Sequence, residues 1–203
     1  MIQLSPSDFL AQFCTAFPCQ DHHFTGPITA QQSEGNGSVY HIEGQILAGF
    51  ARKHGGPVLE IGSDLGISSR YIAEGLGPPA AAGPQLFCID PHHKWHATPE
   101  WSICQLGIDE GYQLAKTIDW SWAFIDGDHR YEGVRADIDL AIRSRISRLF
   151  FHDTSPSCPK PTNPSDGSEA RYAVLDAAQD YWAVYDITTP CGLIYVDTHG
   201  NHN

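Results

Sequence analysis

Residues 58–77 constrain this chain most, because an apolar run stops in a glycine-rich turn and a helical pattern starts at once. Val58, Leu59 and Ile61 follow the breaker Gly55-Gly56-Pro57 and read as a buried strand. The turn is Gly62-Ser63-Asp64-Leu65-Gly66, and from Ser68 the pattern of Arg70, Tyr71, Ile72 and Glu74 is helical until Gly75 and Gly77. A strand feeding a helix through glycines opens a βαβ unit of the nucleotide-binding kind, where backbone approaches a ligand so closely that a Cβ would intrude. A second apolar strand, Leu86-Phe87-Cys88-Ile89, ends in Asp90, at the sequence distance of a carboxylate that holds a ribose.

The glycines alone do not name the ligand. Their spacing, Glu60-x-Gly62-x-x-x-Gly66, is neither the G-x-G-x-x-G fingerprint nor a P-loop. Glu60, Asp64 and Asp90 would crowd a pyrophosphate with negative charge and favour a cation. S-adenosylmethionine, with a sulfonium and no phosphate, fits that field. The plainer alternative is an ordinary strand-to-helix turn in a ligand-free α/β protein.

Upstream, Ser5-Pro6-Ser7-Asp8 is a helix start, and Phe9, Leu10, Phe13 and Phe17 line one face before Pro18. A second helix carries Ile42, Ile46, Leu47 and Phe50 on one face and stops at Gly55-Gly56. Downstream, Ser102 to Leu106 is a third strand and Asp109 to Lys116 a short helix. Trp120 to Asp126 is a fourth strand, apolar throughout. A long helix follows, with Tyr131, Val134, Ile138 and Ala141 inward and an Arg135/Asp139 pair outward. Leu149 to Thr154 is the fifth strand and its exit, Ser168 to Trp182 a last helix, and Ala183–Ile187 with Leu193–Val196 a hairpin at the sheet edge. The expected fold is a single Rossmann-like α/β sheet of seven strands, mostly parallel, with helices on both faces and a C-terminal antiparallel hairpin. Residues 1–39 read as an N-terminal helix and cap loop, and 40–203 as the main domain.

Length allows one domain with a substantial core, since 203 residues are 41% hydrophobic. Twelve basic against 24 acidic side chains, a formal charge of -12, argue against nucleic acid as partner and for a small-molecule acceptor. The six cysteines lack a zinc-like spacing and read as reduced thiols. No signal-like N-terminus or run of 18 apolar residues is visible, so a cytoplasmic protein without membrane contact is expected. Assembly into a homo-oligomer is left open.

Ligands in such folds bind beyond the carboxyl ends of the strands. Strand one delivers Glu60 and Gly62 there, strand two Asp90, strand four Asp126 and His129, and strand five His152 and Asp153. Neither Phe-Ile-Asp126 nor Phe-Phe-His152-Asp153 needs its polar residues for a core. Neighbouring strands lie about 4.8 Å apart, so Asp126 and His152 or Asp153 would be able to share one cation if their strands are adjacent.

At these motifs the chain resembles a known family. Glu60-Ile-Gly-Ser-Asp-Leu-Gly66, Cys88-Ile-Asp90-Pro, Phe124-Ile-Asp-Gly-Asp-His129 with Tyr131-Glu132-Gly133, and Phe151-His-Asp-Thr154 are similar to successive motifs of class I S-adenosylmethionine-dependent methyltransferases. The branch it resembles includes macrocin-type sugar O-methyltransferases and cephalosporin-hydroxylase-like proteins, over about residues 40 to 197. The resemblance implies Glu60, Gly62, Ser63 and Gly66 at the methionine end of the cofactor, Asp90 at its ribose and Asp109 at its adenine. It implies Asp126 beside the cofactor and, with Asp153, as metal ligands. His152 falls on a third ligand position where relatives carry an oxygen donor, and is either a ligand or a neighbour that orients one. His129 matches the general base, and a cation together with a helix N-terminus is expected to lower its pKa and keep it neutral.

The chain departs from the family at Arg143-Ser-Arg-Ile-Ser-Arg148, where relatives carry Pro-Gly-Gly, and at His152, which leaves magnesium and a transition metal both open. The function so implied is metal-assisted O-methylation of a small-molecule hydroxyl, with loops 19–39 and 155–167 contacting the acceptor. Two rivals are a 2-His-1-carboxylate iron oxygenase site and a non-catalytic S-adenosylmethionine-binding module.

Overall fold

Short apolar segments of period two set the sheet, and the faces they create divide the molecule. The computed structural model describes residues 1–16, 39–78, 83–92, 103–155, 169–179 and 182–199. Its strands are β1 Ile2–Leu4, β2 Val58–Ile61, β3 Leu86–Ile89, β4 Ile103–Leu106, β5 Trp122–Ile125, β6 Arg148–Phe151, β7 Ala183–Ile187 and β8 Leu193–Asp197. Its helices are α1 Pro6–Phe13, α2 His41–His54, α3 Ile67–Leu76, α4 Ile108–Ala115, α5 Tyr131–Arg143 and α6 Glu169–Ala177. The strands form one sheet in the order β1-β7-β8-β6-β5-β2-β3-β4, parallel except for β8, which runs antiparallel to both β6 and β7.

Alternate residues of each strand feed opposite layers. Val58, Cys88, Trp122, Phe124, Phe150 and Tyr195 pack against α1, α2 and α3, while Leu59, Ile89, Ala123, Ile125, Phe151 and Val196 pack against α4, α5 and α6. Phe9 anchors α1: it is fully buried among the rings of Phe13, Phe50, Phe150 and Tyr195, which contributes about 1.5–3 kcal/mol.

The sheet has eight strands where seven were expected. Ile2–Leu4 pairs with β7 in parallel, so the C-terminal hairpin lies one strand in from the edge. Three residues are too few to display an alternating pattern. Asp139 sits 3.8 Å from Arg143, not in the expected pair with Arg135. Phe17, Pro18 and nearly all of the two expected acceptor loops lie outside the described residues. Among the described residues no helix is long and apolar enough to cross a membrane.

Candidate active site

The strand ends are level, and that brings the site together. Ile61 pairs with Ile89 on one side and Ile125 on the other, and Ile125 with Phe151. The ladder runs one residue further: Gly62 donates to Ile89 at 2.8 Å, Asp126 to Ile61 at 2.8 Å and His152 to Ile125 at 3.1 Å. The order in which successive strands are added to the sheet reverses between the parallel neighbours β2 and β5, the place where doubly wound sheets bind ligands. A cavity of about 570 Å³ opens there, lined by Val39, the 61–65 turn, Asp90 to His92, Ile108, Tyr112 and the 126–129 segment, within the usual size for a small-molecule site.

The glycine turn is built for close approach. Gly62 has φ of +84°, and a Cβ there would lie 2.1 Å from the Asp126 carbonyl oxygen. Gly66, in the left-handed conformation at φ 74°, caps α3. Two carboxylates brace this turn. Asp90 Oδ2 accepts from the amides of Ser63 and Asp64 at 2.9 Å each, and Oδ1 from the His92 amide at 2.7 Å. Glu60 is fully buried and accepts from Ser68 and Ser69 hydroxyls at 2.6 and 2.5 Å and from the Cys88 thiol at 2.9 Å. Burial pushes its carboxyl up to about 7, against the pull of those three hydrogen bonds. The Cys88 thiol is therefore a donor to an acid as well as part of the core.

Beside the turn, five side chains from three segments meet. Asp126 Oδ1 faces His129 Nε2 and His152 Nδ1, both at 3.1 Å. Asp153 lies 3.5 Å from His129 and 3.4 Å from His152, and its φ of +54° is a backbone position that non-glycine residues adopt at a cost. The other nitrogen of His152 faces Glu43 at 3.1 Å. Ligand atoms of Asp126, His152 and Asp153 all lie within 4.8 Å of one another.

Charge in this cluster is mutually arranged. Burial opposes ionisation of Asp126, but the charge of His152 and hydrogen bonds from His129 and His152 hold it at about 2. Burial likewise opposes charge on His152, yet Asp126 and Glu43 lift it well above the usual histidine value. For His129, burial is outweighed by Asp126 and Asp153, which raise it to about 9. The Asp126 and Asp153 carboxylates beside the imidazole thus oppose the lowering expected from the helix start, and the lowering expected from a cation belongs to the loaded site.

The structure brings Gly62, Ser63, Asp90, Asp126 and His129 to the cavity wall, with His152 and Asp153 adjoining through Asp126. Glu60 and Gly66 support the turn from outside that wall, and Asp109 is exposed while its neighbour Ile108 lines the cavity. Three polar residues escaped the sequence reading. Tyr112 donates to buried Asp137 at 2.7 Å, and burial pushes the Asp137 carboxyl up to about 6 with that bond opposing. Glu43 is the third. Both acids stand on the apolar stripes of their helices, Glu43 with Ile46, Leu47 and Phe50, and Asp137 with Val134, Ile138 and Ala141, which was the available signal.

Residues 59–154 match the family model described as "Methyltransferase domain". The matched segment, just under half of the chain, is similar to a methyltransferase domain. The fold is that of the S-adenosylmethionine-dependent methyltransferases, and solved structures share it at low identity. An O-methyltransferase from Bacillus cereus in complex with S-adenosylhomocysteine is 17% identical, covering 83% of this chain and 86% of its own, with a TM-score of 0.60. The Podospora anserina methyltransferase PaMTH1, bound to the same product, is 13% identical over 85% of this chain and 82% of its own, TM-score 0.61. The O-methyltransferase TomG from Streptomyces achromogenes, involved in tomaymycin synthesis and solved with S-adenosylmethionine, is 14% identical over 96% of each chain, TM-score 0.58. No curated protein matches the chain by sequence.

Proposed function

We propose that the methyltransferase domain transfers the methyl group of S-adenosylmethionine to the hydroxyl of a small molecule, with a divalent cation assisting. The observation that carries this reading is a nucleoside-sized cavity at the β2/β5 reversal whose wall includes Asp126 and His129, with His152 and Asp153 adjoining them. The O-methyltransferases of Bacillus cereus and Streptomyces achromogenes with the same fold support the reaction class. The doubly wound sheet favours it over an oxygenase.

In this reading Gly62 and Ser63 receive the methionine end of the donor, Asp90 its ribose, and Asp126 flanks it. Glu60 and Gly66 act on the donor through the turn they shape. The donor's sulfonium needs no activation, so the protein's task is to hold the acceptor in line and raise the nucleophilicity of its oxygen. The acceptor oxygen forms the new bond to the methyl carbon as the carbon–sulfur bond breaks, leaving S-adenosylhomocysteine, and the hydroxyl proton passes to Nε2 of His129. The donor set of Asp126, Asp153 and His152 fits a divalent cation, magnesium or a transition ion, which supplies polarisation of the acceptor hydroxyl and offsets the carboxylate charge that keeps His129 protonated.

The test is transfer of labelled methyl from S-adenosylmethionine to a panel of sugar, phenol and aliphatic hydroxyls, with and without chelator, together with metal content after dialysis. Labelled ether that disappears with chelator, and divalent metal retained by wild type but lost in Asp126→Ala, is the expected outcome. Tight cofactor binding without transfer to any acceptor would instead identify a binding module.

A further inference from the structure

A buried carboxylate stands behind the histidine of this cluster. Glu43, in the first turn of α2, is fully buried, and the His152 side chain is 2% exposed. Glu43 Oε1 accepts from the Thr189 hydroxyl at 2.6 Å and the Cys191 amide at 3.2 Å, and Oε2 accepts from the Tyr40 amide at 2.7 Å. Three donors, from the α2 N-cap and the β7–β8 connection, thus fix the carboxylate without help from His152. An ionised carboxylate only accepts, so Nε2 of His152, 3.1 Å from Oε2, carries a hydrogen. Nδ1 is then the ring atom turned toward Asp126 at 3.1 Å and Asp153 at 3.4 Å, and the hydrogen it donates to Asp126 is the one a cation between these groups would displace.

We propose that Glu43 is the positioning residue that makes His152 a nitrogen ligand: by holding Nε2–H it presents Nδ1 beside the carboxylates of Asp126 and Asp153, a donor set that selects a borderline divalent transition ion over magnesium. The proposal rests on the cation site inferred above. Imidazole suits zinc, cobalt and nickel, whereas magnesium prefers oxygen alone. A carboxylate on the far nitrogen fixes the tautomer and raises ligand basicity, and losing such a partner costs about ten- to hundredfold in metal affinity. A purely structural Glu43 would govern stability and leave metal affinity and the ligating nitrogen unchanged.

Two measurements on the full chain with zinc alone test this. Nitrogen-15 NMR of histidine-labelled wild type, with the His152 signals assigned by their loss in His152→Asn, is expected to show zinc on Nδ1 and a proton on Nε2. Calorimetry is expected to show zinc binding weakened about ten- to hundredfold in Glu43→Gln, with magnesium binding unchanged. The NMR result needs no change at Glu43, so it stands even if Glu43→Gln does not fold. Zinc on Nε2, His152 signals unmoved by zinc, or equal zinc affinity in a folded Glu43→Gln would overturn the role of Glu43 and leave the cation site standing. Failure of wild type to bind zinc, cobalt or magnesium at all would overturn the cation site itself.

Discussion

Replacing Glu60 by glutamine removes a buried ionisable group beneath the glycine turn, and its effect depends on pH in a direction the structure dictates. The carboxyl titrates at 4.5 ordinarily and at about 7 in the folded chain, chiefly because it is buried. Between those values the folded state holds a proton that the unfolded state releases, so the stabilisation is complete below pH 4.5 and is lost as pH rises through 7. At about 1.4 kcal/mol for each pH unit, the interval from 4.5 to about 7 is worth about 3 kcal/mol. Glutamine keeps the shape and cannot titrate. Urea unfolding of both proteins from pH 4.5 to 8 gives the comparison. The stability of wild type relative to Glu60→Gln is expected to fall by about 3 kcal/mol across that range and to stay level above it. Cofactor affinity is expected to change little, because the carboxylate lies outside the cavity wall. Parallel stability curves would refute the view that a buried, proton-binding acid supports the turn.

His129→Ala should leave S-adenosylhomocysteine affinity nearly unchanged while methyl transfer to an aliphatic hydroxyl falls at least about a hundredfold; near-wild-type transfer would remove His129 from the role of base. In chelated wild type the His129 ring is expected to lose its proton near pH 9 when followed by NMR, and added divalent cation should move that titration to lower pH. Arg145 holds φ of +59°, so Arg145→Gly should raise the thermal midpoint, relieving roughly 1–2 kcal/mol of backbone strain less the greater entropy glycine loses on folding; a lower midpoint would mean the turn is not strained.

Much of the fold was legible because its signals are local. Strand, glycine turn and helix at 58–77 are contiguous, and the buried run at 122–125 could only be a strand or a helix, with Asp126-Gly127 stopping it early. What escaped depends on distance along the chain. Glu43 reads as an ordinary acid in the first turn of a helix, and only the folded sheet sets it under His152, 109 residues away. The surroundings of His129 escaped for a similar reason: sequence places Asp126 and Asp153 at one end of the sheet, whereas only the fold shows both carboxylates against the His129 ring. Ile2–Leu4 pairs with a strand some 180 residues later, and so short a segment carries no pattern of its own. Arg145 shows the converse. Nothing in a run of arginines and serines announces a left-handed residue, which glycine adopts most readily, yet Arg145 takes up that conformation at φ of +59°.

The most direct test of the central claim is a calorimetric titration of the purified full-length chain with S-adenosylmethionine, S-adenosylhomocysteine and a nicotinamide dinucleotide. Saturable binding of both sulfur compounds at one site, weakened by Asp90→Ala and absent for the dinucleotide, is the predicted result. Binding of the dinucleotide, with neither sulfur compound bound at millimolar concentration, would contradict it.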